Sequence, residues 1–134
     1  TDNFSTRYLI NDASMHTGAT VVHGSIFRFE GQVAVFKPRE TACYRCVFPD
    51  PPPPGLAPNC TEAGVFGVLP GVVGSMQATE ALKLLLGLGD PLLGRLLTYD
   101  ALSQTTYTIN LKRREDCASC SGPSPELVDL PDYC

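Results

Sequence analysis

Apolar residues recur at helical spacing at the start of the chain and again in its middle. The first stretch, residues 4–19, predicts a helix that is capped by Asp2 or Asn3 and ended by Gly18. The second stretch, Pro70–Leu86, predicts a longer helix, because a proline suits the first helical turn and two glycines follow the last one. Apolar residues occupy most faces of this second helix, so we expect most of it to be buried.

Alternating apolar and polar positions predict four strands in the remaining sequence. Two lie within residues 20–37 and are joined by a hairpin turn at Glu30–Gly31. The residues expected on their buried face are Ile26, Val33 and Val35. Two further strands are predicted over Gly94–Ala101 and Thr105–Lys112, and the alternation in the last one is that of a half-buried strand.

The composition is that of an ordinary globular domain and excludes two classes of partner. Of the 134 residues, 43% are apolar and 18% are charged, and the formal net charge is −4. The chain is one domain or part of one, with no basic patch for nucleic acid and no apolar run long enough to span a membrane. The first residues carry no signal-peptide pattern, so we expect reduced cysteines and a cytoplasmic protein.

Two Cys-x-x-Cys pairs are the strongest chemical signal in the sequence. Cys43 and Cys46 form the first pair, and Cys117 and Cys120 form the second. Four thiolates in two close pairs match the ligand set of a tetrahedral structural zinc site, so we predict that these residues bind one Zn²⁺. The same spacing occurs in thioredoxin-like redox motifs, and cysteines can also form disulfides, so these two alternatives stay open.

Several segments resemble one known family in their order along the chain. They are Thr1–Arg7, Cys43–Pro49, Cys60–Val65, Gly71–Ala81, Gly94–Ala101 and the second cysteine pair. Together they resemble the C-terminal half of the MoeB/ThiF-type enzymes, the bacterial relatives of the ubiquitin-activating enzymes, over residues 1–120. The resemblance implies an α/β fold that is the C-terminal part of a Rossmann-like domain, with a mixed sheet containing antiparallel strands, a buried helix and four-cysteine zinc knuckles. Residues 121–134 would be a linker or tail, which in some members leads to a rhodanese domain.

The resemblance also implies an activity and the residues that carry it. Such enzymes use Mg-ATP to adenylate the C-terminal glycine of a ubiquitin-like sulfur carrier protein, for molybdopterin, thiamine or tRNA thiolation, and they commonly form homodimers. By match to the family, Asp2 and Asn3 would bind Mg-ATP, and Cys60 would bond covalently to the carrier through a thioester or a disulfide. The family's glycine-rich turn, ribose-binding acid and phosphate-binding basic residues lie in its N-terminal half, so we expect this chain to be a fragment that is inactive by itself.

Other interpretations of these residues stay open. The chain could be a zinc-stabilised module that binds a ubiquitin-like protein without catalysis, or a dithiol oxidoreductase. Asp2 could be an ordinary helix N-cap, and Cys60 could have no part in the chemistry. Cys134 has no partner in spacing, and once four cysteines bind the metal, His16 and His23 are expected to be packed or surface residues.

Overall fold

The computed structural model describes residues 3–53, 64–128 and 130, and it contains both predicted helices and all four predicted strands. The elements are, in chain order, α1 (Phe4–Thr17), β1 (Val21–Phe27), β2 (Glu30–Phe36), α2 (Tyr44–Val47), α3 (Leu69–Leu86), β3 (Arg95–Asp100) and β4 (Thr105–Asn110). The pattern did not predict α2, a single turn of helix at the first cysteine pair. No helix within these ranges is long and apolar enough to cross a membrane.

Helix α1 begins and ends close to where the sequence predicts. The Oδ1 atom of Asn3 accepts the backbone N–H of Thr6 at 2.7 Å, which satisfies one of the donors left unpaired at a helix start. Gly18 takes a left-handed conformation with φ +73°, and its N–H donates to the carbonyl of Ser14 at 2.9 Å. The buried residues of the helix include several polar ones and are Tyr8, Asn11, Asp12, Ser14 and Met15.

The four strands form one sheet in the order β1-β2-β3-β4, and every neighbouring pair is antiparallel. Parallel pairing among the described residues is limited to two isolated bridges, one between Arg28 and Val65 and one between Val35 and Leu93. Every residue of β4 is exposed. The half-buried environment predicted for residues 105–110 is therefore wrong for the described part of the chain, because the helices there pack mainly on β1 and β2 and leave the faces of β4 exposed.

The hairpin turn lies at Arg28–Phe29 and not at the predicted Glu30–Gly31. Phe27 pairs with Glu30, so both predicted turn residues belong to β2. Arg28 supplies the left-handed turn conformation, with φ +53°. Gly31 is needed inside the strand instead, at a point where α3 packs too closely for a side chain.

Alternate residues of the central strands face two separate core clusters. Helix α3 covers one face of the sheet, where the buried residues are Val33, Val35, Leu69, Val73 and Leu92. Helices α1 and α2 cover the other face, where the buried residues are Tyr8, Ala34, Phe36, Tyr44 and Leu96. Val33 and Val35 confirm the predicted buried face, and Ile26 is partly buried at its margin.

Helix α3 buries a narrow stripe of its surface. Its buried residues are Leu69, Val73 and Glu80. Leu82, Leu85 and Leu86 are exposed, Leu85 to 81%. The prediction that most of this helix is buried is therefore wrong for the described part of the chain, because there α3 packs on the sheet along one side only.

The segment after the second cysteine pair runs back along α1. The guanidinium of Arg39 donates to the carbonyl of Gly122 at 2.7 Å. The Nε2 atom of His16 lies 2.6 Å from the carbonyl oxygen of Pro125. The first residues of the predicted linker or tail therefore contact the rest of the domain.

Candidate metal centre

Four cysteine sulfurs come together between the start of α2 and the turn that follows β4. The Sγ–Sγ distance is 3.8 Å for Cys43–Cys46, 3.6 Å for Cys43–Cys117 and 3.5 Å for Cys46–Cys120. All four sulfurs lie within 4.8 Å of one another. A tetrahedral ion with metal–sulfur bonds of about 2.3 Å would separate its ligands by about 3.8 Å. The cluster can therefore hold one metal ion, as the spacing predicted.

All four cysteines are buried. None of the four is in a disulfide in the structure, and the sulfur–sulfur distances given above are too long for one. Burial raises the pKa of the Cys43 thiol, and the neighbouring sulfurs raise it further. Burial also acts to raise the pKa of Cys117, but the backbone N–H groups of Cys120 and Ser119 donate to its sulfur and lower the value to about 7. Thiolates this close repel one another, so a bound cation is what would let all four ionise together.

Hydrogen bonds to the backbone shape both cysteine turns. The N–H of Cys46 donates to the carbonyl of Cys43 at 3.0 Å, and the N–H of Arg114 lies 3.5 Å from Sγ of Cys46. The guanidinium of Arg113 donates to the carbonyl of Cys120 at 2.5 Å. The fold itself therefore sets the positions of the sulfurs.

A buried carboxylate on α1 contacts both cysteine turns. Asp12 accepts hydrogen bonds from Nε and Nη2 of Arg45 at 2.9 and 2.7 Å and from Oγ of Ser119 at 2.5 Å. Arg45 belongs to the first cysteine turn, and Ser119 belongs to the second. Burial acts to raise the pKa of Asp12, but the donors Arg45, Ser119 and Asn11 outweigh it, so the pKa is lowered and the carboxylate is ionised.

Asn11 makes a second connection between α1 and the cysteine turns. Its Oδ1 atom accepts the backbone N–H of Tyr44 at 2.9 Å, and its Nδ2 atom donates to Oγ of Ser119 at 3.2 Å and to Asp12 at 3.0 Å. Sequence reasoning missed both Asn11 and Asp12. The adjacent polar pair Asn11–Asp12, one helical turn after the buried Tyr8, could have suggested buried polar groups in α1, although it does not say which distant residues they contact.

The predicted nucleotide and covalent-catalysis residues fall mostly outside the structure. Asp2 and Cys60 lie outside the described residues. Asn3 stands at the start of α1, where its Oδ1 atom also accepts the hydroxyl of Ser5 at 2.9 Å. The structure thus gives Asn3 a clear role as helix cap and leaves its predicted contact with ATP untested.

Both histidines contact other groups of the protein. The ring of His23 lies 5.8 Å from that of Phe36 and 5.3 Å from that of Tyr44. Burial, together with nearby positive charge that includes Arg7, lowers the pKa of His23 to about 4. His16 contacts the segment after the second cysteine pair. Among the described residues, the four cysteines are the group of side chains that could bind a metal. His16 and His23 contact other parts of the protein, as predicted.

A cavity of about 320 Å³ lies along β1, the edge strand opposite β4. Arg7 and Asn11 line it from α1, and Gln77 lines it from α3. The Nε2 atom of Gln77 donates to the carbonyl of Val22 at 3.0 Å and so satisfies one of the outward-facing backbone groups of β1. The cavity therefore follows a sheet edge that is open within the described ranges.

Comparisons with known proteins give the family of the chain and proteins to which it is similar. Residues 1–120 match the model of the ThiF family. The sulfur carrier protein adenylyltransferase of Thermus thermophilus is 53% identical to this chain, and the match covers 99% of this chain and 52% of that protein. The SAMP-activating enzyme E1 of Haloferax volcanii is 48% identical, and the match covers 98% of this chain and 48% of that protein. A crystal structure of E. coli MccB with MccA-N7isoASN has a similar fold, with a TM-score of 0.73 at 14% identity over 89% of this chain and 38% of that one. The chain thus spans about half the length of these two relatives.

Proposed function

Because the chain belongs to the ThiF family, we propose that the protein containing it uses Mg-ATP to adenylate the C-terminal glycine of a ubiquitin-like sulfur carrier protein. The observation that carries this proposal is the 53% identity, over nearly the whole chain, to the sulfur carrier protein adenylyltransferase of T. thermophilus. The similarity to the SAMP-activating enzyme E1 of H. volcanii supports the same class of reaction.

In the proposed reaction, a carboxylate oxygen of the terminal glycine attacks the α-phosphorus of ATP. The bond from that phosphorus to the bridging oxygen breaks, and pyrophosphate leaves with the electron pair. The product is an acyl-adenylate, a mixed anhydride that a sulfur nucleophile can open. Mg²⁺ bound with the nucleotide supplies positive charge against the phosphates. The residues of the protein contribute mainly by holding the carboxylate and the phosphate in line.

We assign Asp2 and Asn3 to the nucleotide site and Cys60 to a covalent step. A carboxylate is a ligand that Mg²⁺ prefers, which supports the assignment of Asp2. The Oδ1 atom of Asn3 caps α1, so its Nδ2 group is the one that we assign to the nucleotide. The thiolate of Cys60 would attack the carbonyl carbon of the acyl-adenylate, forming a thioester and releasing AMP.

We propose that the four-cysteine cluster binds one Zn²⁺ in a structural role. Four thiolates complete a tetrahedral coordination sphere and leave no position for a substrate. The bound ion would crosslink α2 to the turn after β4, in a cluster where Met15, Ala42 and Leu111 pack around the sulfurs. Because such a site needs reduced thiols, we propose that the protein works in the cytoplasm.

Activity is proposed for the longer protein and not for these 134 residues alone. The chain matches about half the length of the T. thermophilus and H. volcanii relatives and carries no glycine-rich phosphate-binding turn. We therefore expect the isolated chain to bind ATP weakly and not to adenylate a carrier.

From the family resemblance we also propose that the longer protein forms a homodimer. Sedimentation equilibrium of the longer protein would contradict this proposal if it gave the monomer mass.

Exchange of labelled pyrophosphate into ATP tests the proposed function directly. The longer protein would be mixed with ATP and a sulfur carrier protein, and the control carrier would lack its terminal glycine. We expect exchange with the intact carrier and none with the carrier that lacks its terminal glycine. In the Asp2→Ala variant we expect the exchange rate to fall at least tenfold. Exchange that does not depend on the carrier would contradict the proposed substrate. Carrier binding with no exchange would favour the alternative of a binding module.

A further inference from the structure

We propose that Asp12 is a positioning residue that presets the two cysteine turns for the metal ion. The inference rests on the zinc site proposed above and adds to it a residue that is not itself a ligand. Asp12 bonds to Arg45 in the first turn and to Ser119 in the second, so one carboxylate ties together the two halves of the ligand set.

The two partners of Asp12 occupy equivalent positions in the two turns. Arg45 immediately precedes the second cysteine of the first pair, and Ser119 immediately precedes the second cysteine of the second pair. The sulfurs of those second cysteines, Cys46 and Cys120, lie 3.5 Å apart. Asp12 thus bridges the residues next to two sulfurs that approach each other closely.

Burial makes this connection strong. Asp12 is 5% exposed, and a carboxylate removed from water is tolerated when its oxygens are paired with charged or hydroxyl donors. Arg45 is the charged partner and binds both carboxylate oxygens, while Ser119 is the hydroxyl partner. No buried side-chain oxygen or nitrogen in the described part of the protein lacks a hydrogen-bond partner, so the network is complete without an ion.

Asn11 reinforces the same connection from the neighbouring position of α1. It accepts the N–H of Tyr44 in the first turn and donates to Ser119 in the second. Two consecutive side chains of α1 therefore contact both cysteine turns. Helix α1 thus holds the turns in place before any metal binds, and metal binding in return stabilises the position of the helix.

The rate of zinc release from the loaded protein tests this inference. Zinc transfer to a chelating dye would be followed at fixed pH for the wild type, Asp12→Asn, Ser119→Ala and the double variant. Residues that orient metal ligands change metal affinity by roughly 10- to 100-fold when they are replaced. We expect release to be faster by about that factor in Asp12→Asn and faster by a smaller factor in Ser119→Ala. In the double variant, Ser119→Ala should add less than it does alone, because its contact with Asp12 is already weakened and its contact with Asn11 is what remains to be lost.

Asp116→Asn is the matched control. This variant makes the same change of charge beside Cys117. Asp116 is exposed and pairs with Arg114, not with the two cysteine turns, so zinc release from Asp116→Asn should be as slow as from the wild type. Should Asp12→Asn fail to fold, the same comparison uses Arg45→Lys, which keeps the charge and loses the two-point contact. Additive effects of Asp12→Asn and Ser119→Ala, or a wild-type release rate in Asp12→Asn, would overturn the proposal.

The outcomes also separate this inference from the proposals on which it rests. If the wild type holds zinc and Asp12→Asn releases it at the same rate, Asp12 has no positioning role and the zinc site stands. If the wild type holds no zinc, the metal site and the role of Asp12 are both overturned. Carrier-dependent pyrophosphate exchange would in either case decide separately whether the protein adenylates a sulfur carrier.

Discussion

Val73 on α3 lies over Gly31 of β2 so closely that a Cβ at position 31 would stand 2.5 Å from Cγ2 of Val73. Val73 is buried and β-branched, so its side chain has little freedom to turn away. This contact sets the distance between the helix and the sheet, and glycine is the residue that permits it.

Replacing Gly31 with alanine is expected to destabilise the protein by roughly 1–3 kcal/mol, because the added methyl group overpacks this contact. The control is Gly74→Ala, since Gly74 lies inside α3 and a Cβ there meets no described atom within 4 Å. At that position alanine is expected to stabilise the helix by about 0.5–1 kcal/mol. Urea unfolding of the two variants would measure both effects, and a shift in the same direction for both would contradict the packing argument.

Glu80 is expected to contribute more to stability than an exposed glutamate in a similar ion pair. Its carboxylate accepts the backbone N–H of Leu92 at 2.7 Å and pairs with Lys83, and the residue is buried. Glu80→Ala leaves a buried N–H without an acceptor, so we expect a loss of roughly 2–3 kcal/mol. Glu40 pairs with Lys37 at the same separation of three residues, but in an exposed turn after β2, and Glu40→Ala is expected to cost about 0.5 kcal/mol or less. Thermal unfolding would compare the two variants, and similar losses would refute the role of burial.

Substitutions of Asn3 can separate its cap from its proposed nucleotide contact. Asn3→Ala removes the acceptor for the N–H of Thr6 and is expected to destabilise the protein by about 1 kcal/mol. Asn3→Asp keeps that acceptor and should retain wild-type stability. If Nδ2 also contacts the nucleotide, Asn3→Asp will raise the KM for ATP in the longer protein although it unfolds normally. An unchanged KM in Asn3→Asp would limit Asn3 to the helix cap.

His23 is expected to make stability depend on pH below neutrality. Burial and nearby positive charge lower its pKa in the folded protein to about 4, whereas an unfolded histidine has a pKa of about 6.5. Between these values the unfolded chain binds a proton that the folded protein does not, so stability falls as the pH falls, by up to about 1.4 kcal/mol per pH unit. The effect fades above pH 6.5 and is absent by about pH 7.5, where the unfolded histidine is neutral too.

The His23→Phe variant isolates this contribution, because the new ring can pack beside Phe36 and Tyr44 without titrating. Unfolding free energies of wild type and variant would be compared from pH 7.5 to pH 4. Any loss of metal in acid affects both proteins, so the difference between the two curves reports His23. Parallel curves over this range would show that burial does not depress the pKa of His23.

The sequence predicts elements and ligands well where the signal is local. Asn3 and Gly18 bound α1 as expected, because helix ends are decided by the backbone donors and acceptors of one turn. Cys43 and Cys46 lie side by side as expected, because a two-residue spacing orients both sulfurs of a turn toward one point. The approach of the two pairs is predicted from the four ligands that one tetrahedral ion needs and not from local spacing.

The sequence predicts less where contacts join distant segments. Asp12 lies 33 residues from Arg45 and 107 residues from Ser119, so nothing in its local sequence indicates a connection to the cysteine turns. Gly31 looks like a turn residue, but the approach of α3 fixes it within a strand and moves the turn to Arg28. The exposed leucines of α3 are a further example. An apolar pattern predicts a helix, but it does not say which faces of that helix other segments will cover.

The central structural proposal is that four cysteines hold one zinc ion, and native mass spectrometry tests it most directly. The purified protein would be measured intact under native conditions and again after denaturation, together with a Cys120→Ser variant. We predict one zinc ion per chain in the native wild type, a denatured mass with all four cysteines reduced, and little or no zinc in the variant. A wild type without metal, or one whose denatured mass shows Cys43, Cys46, Cys117 and Cys120 joined in disulfides, would contradict the proposal.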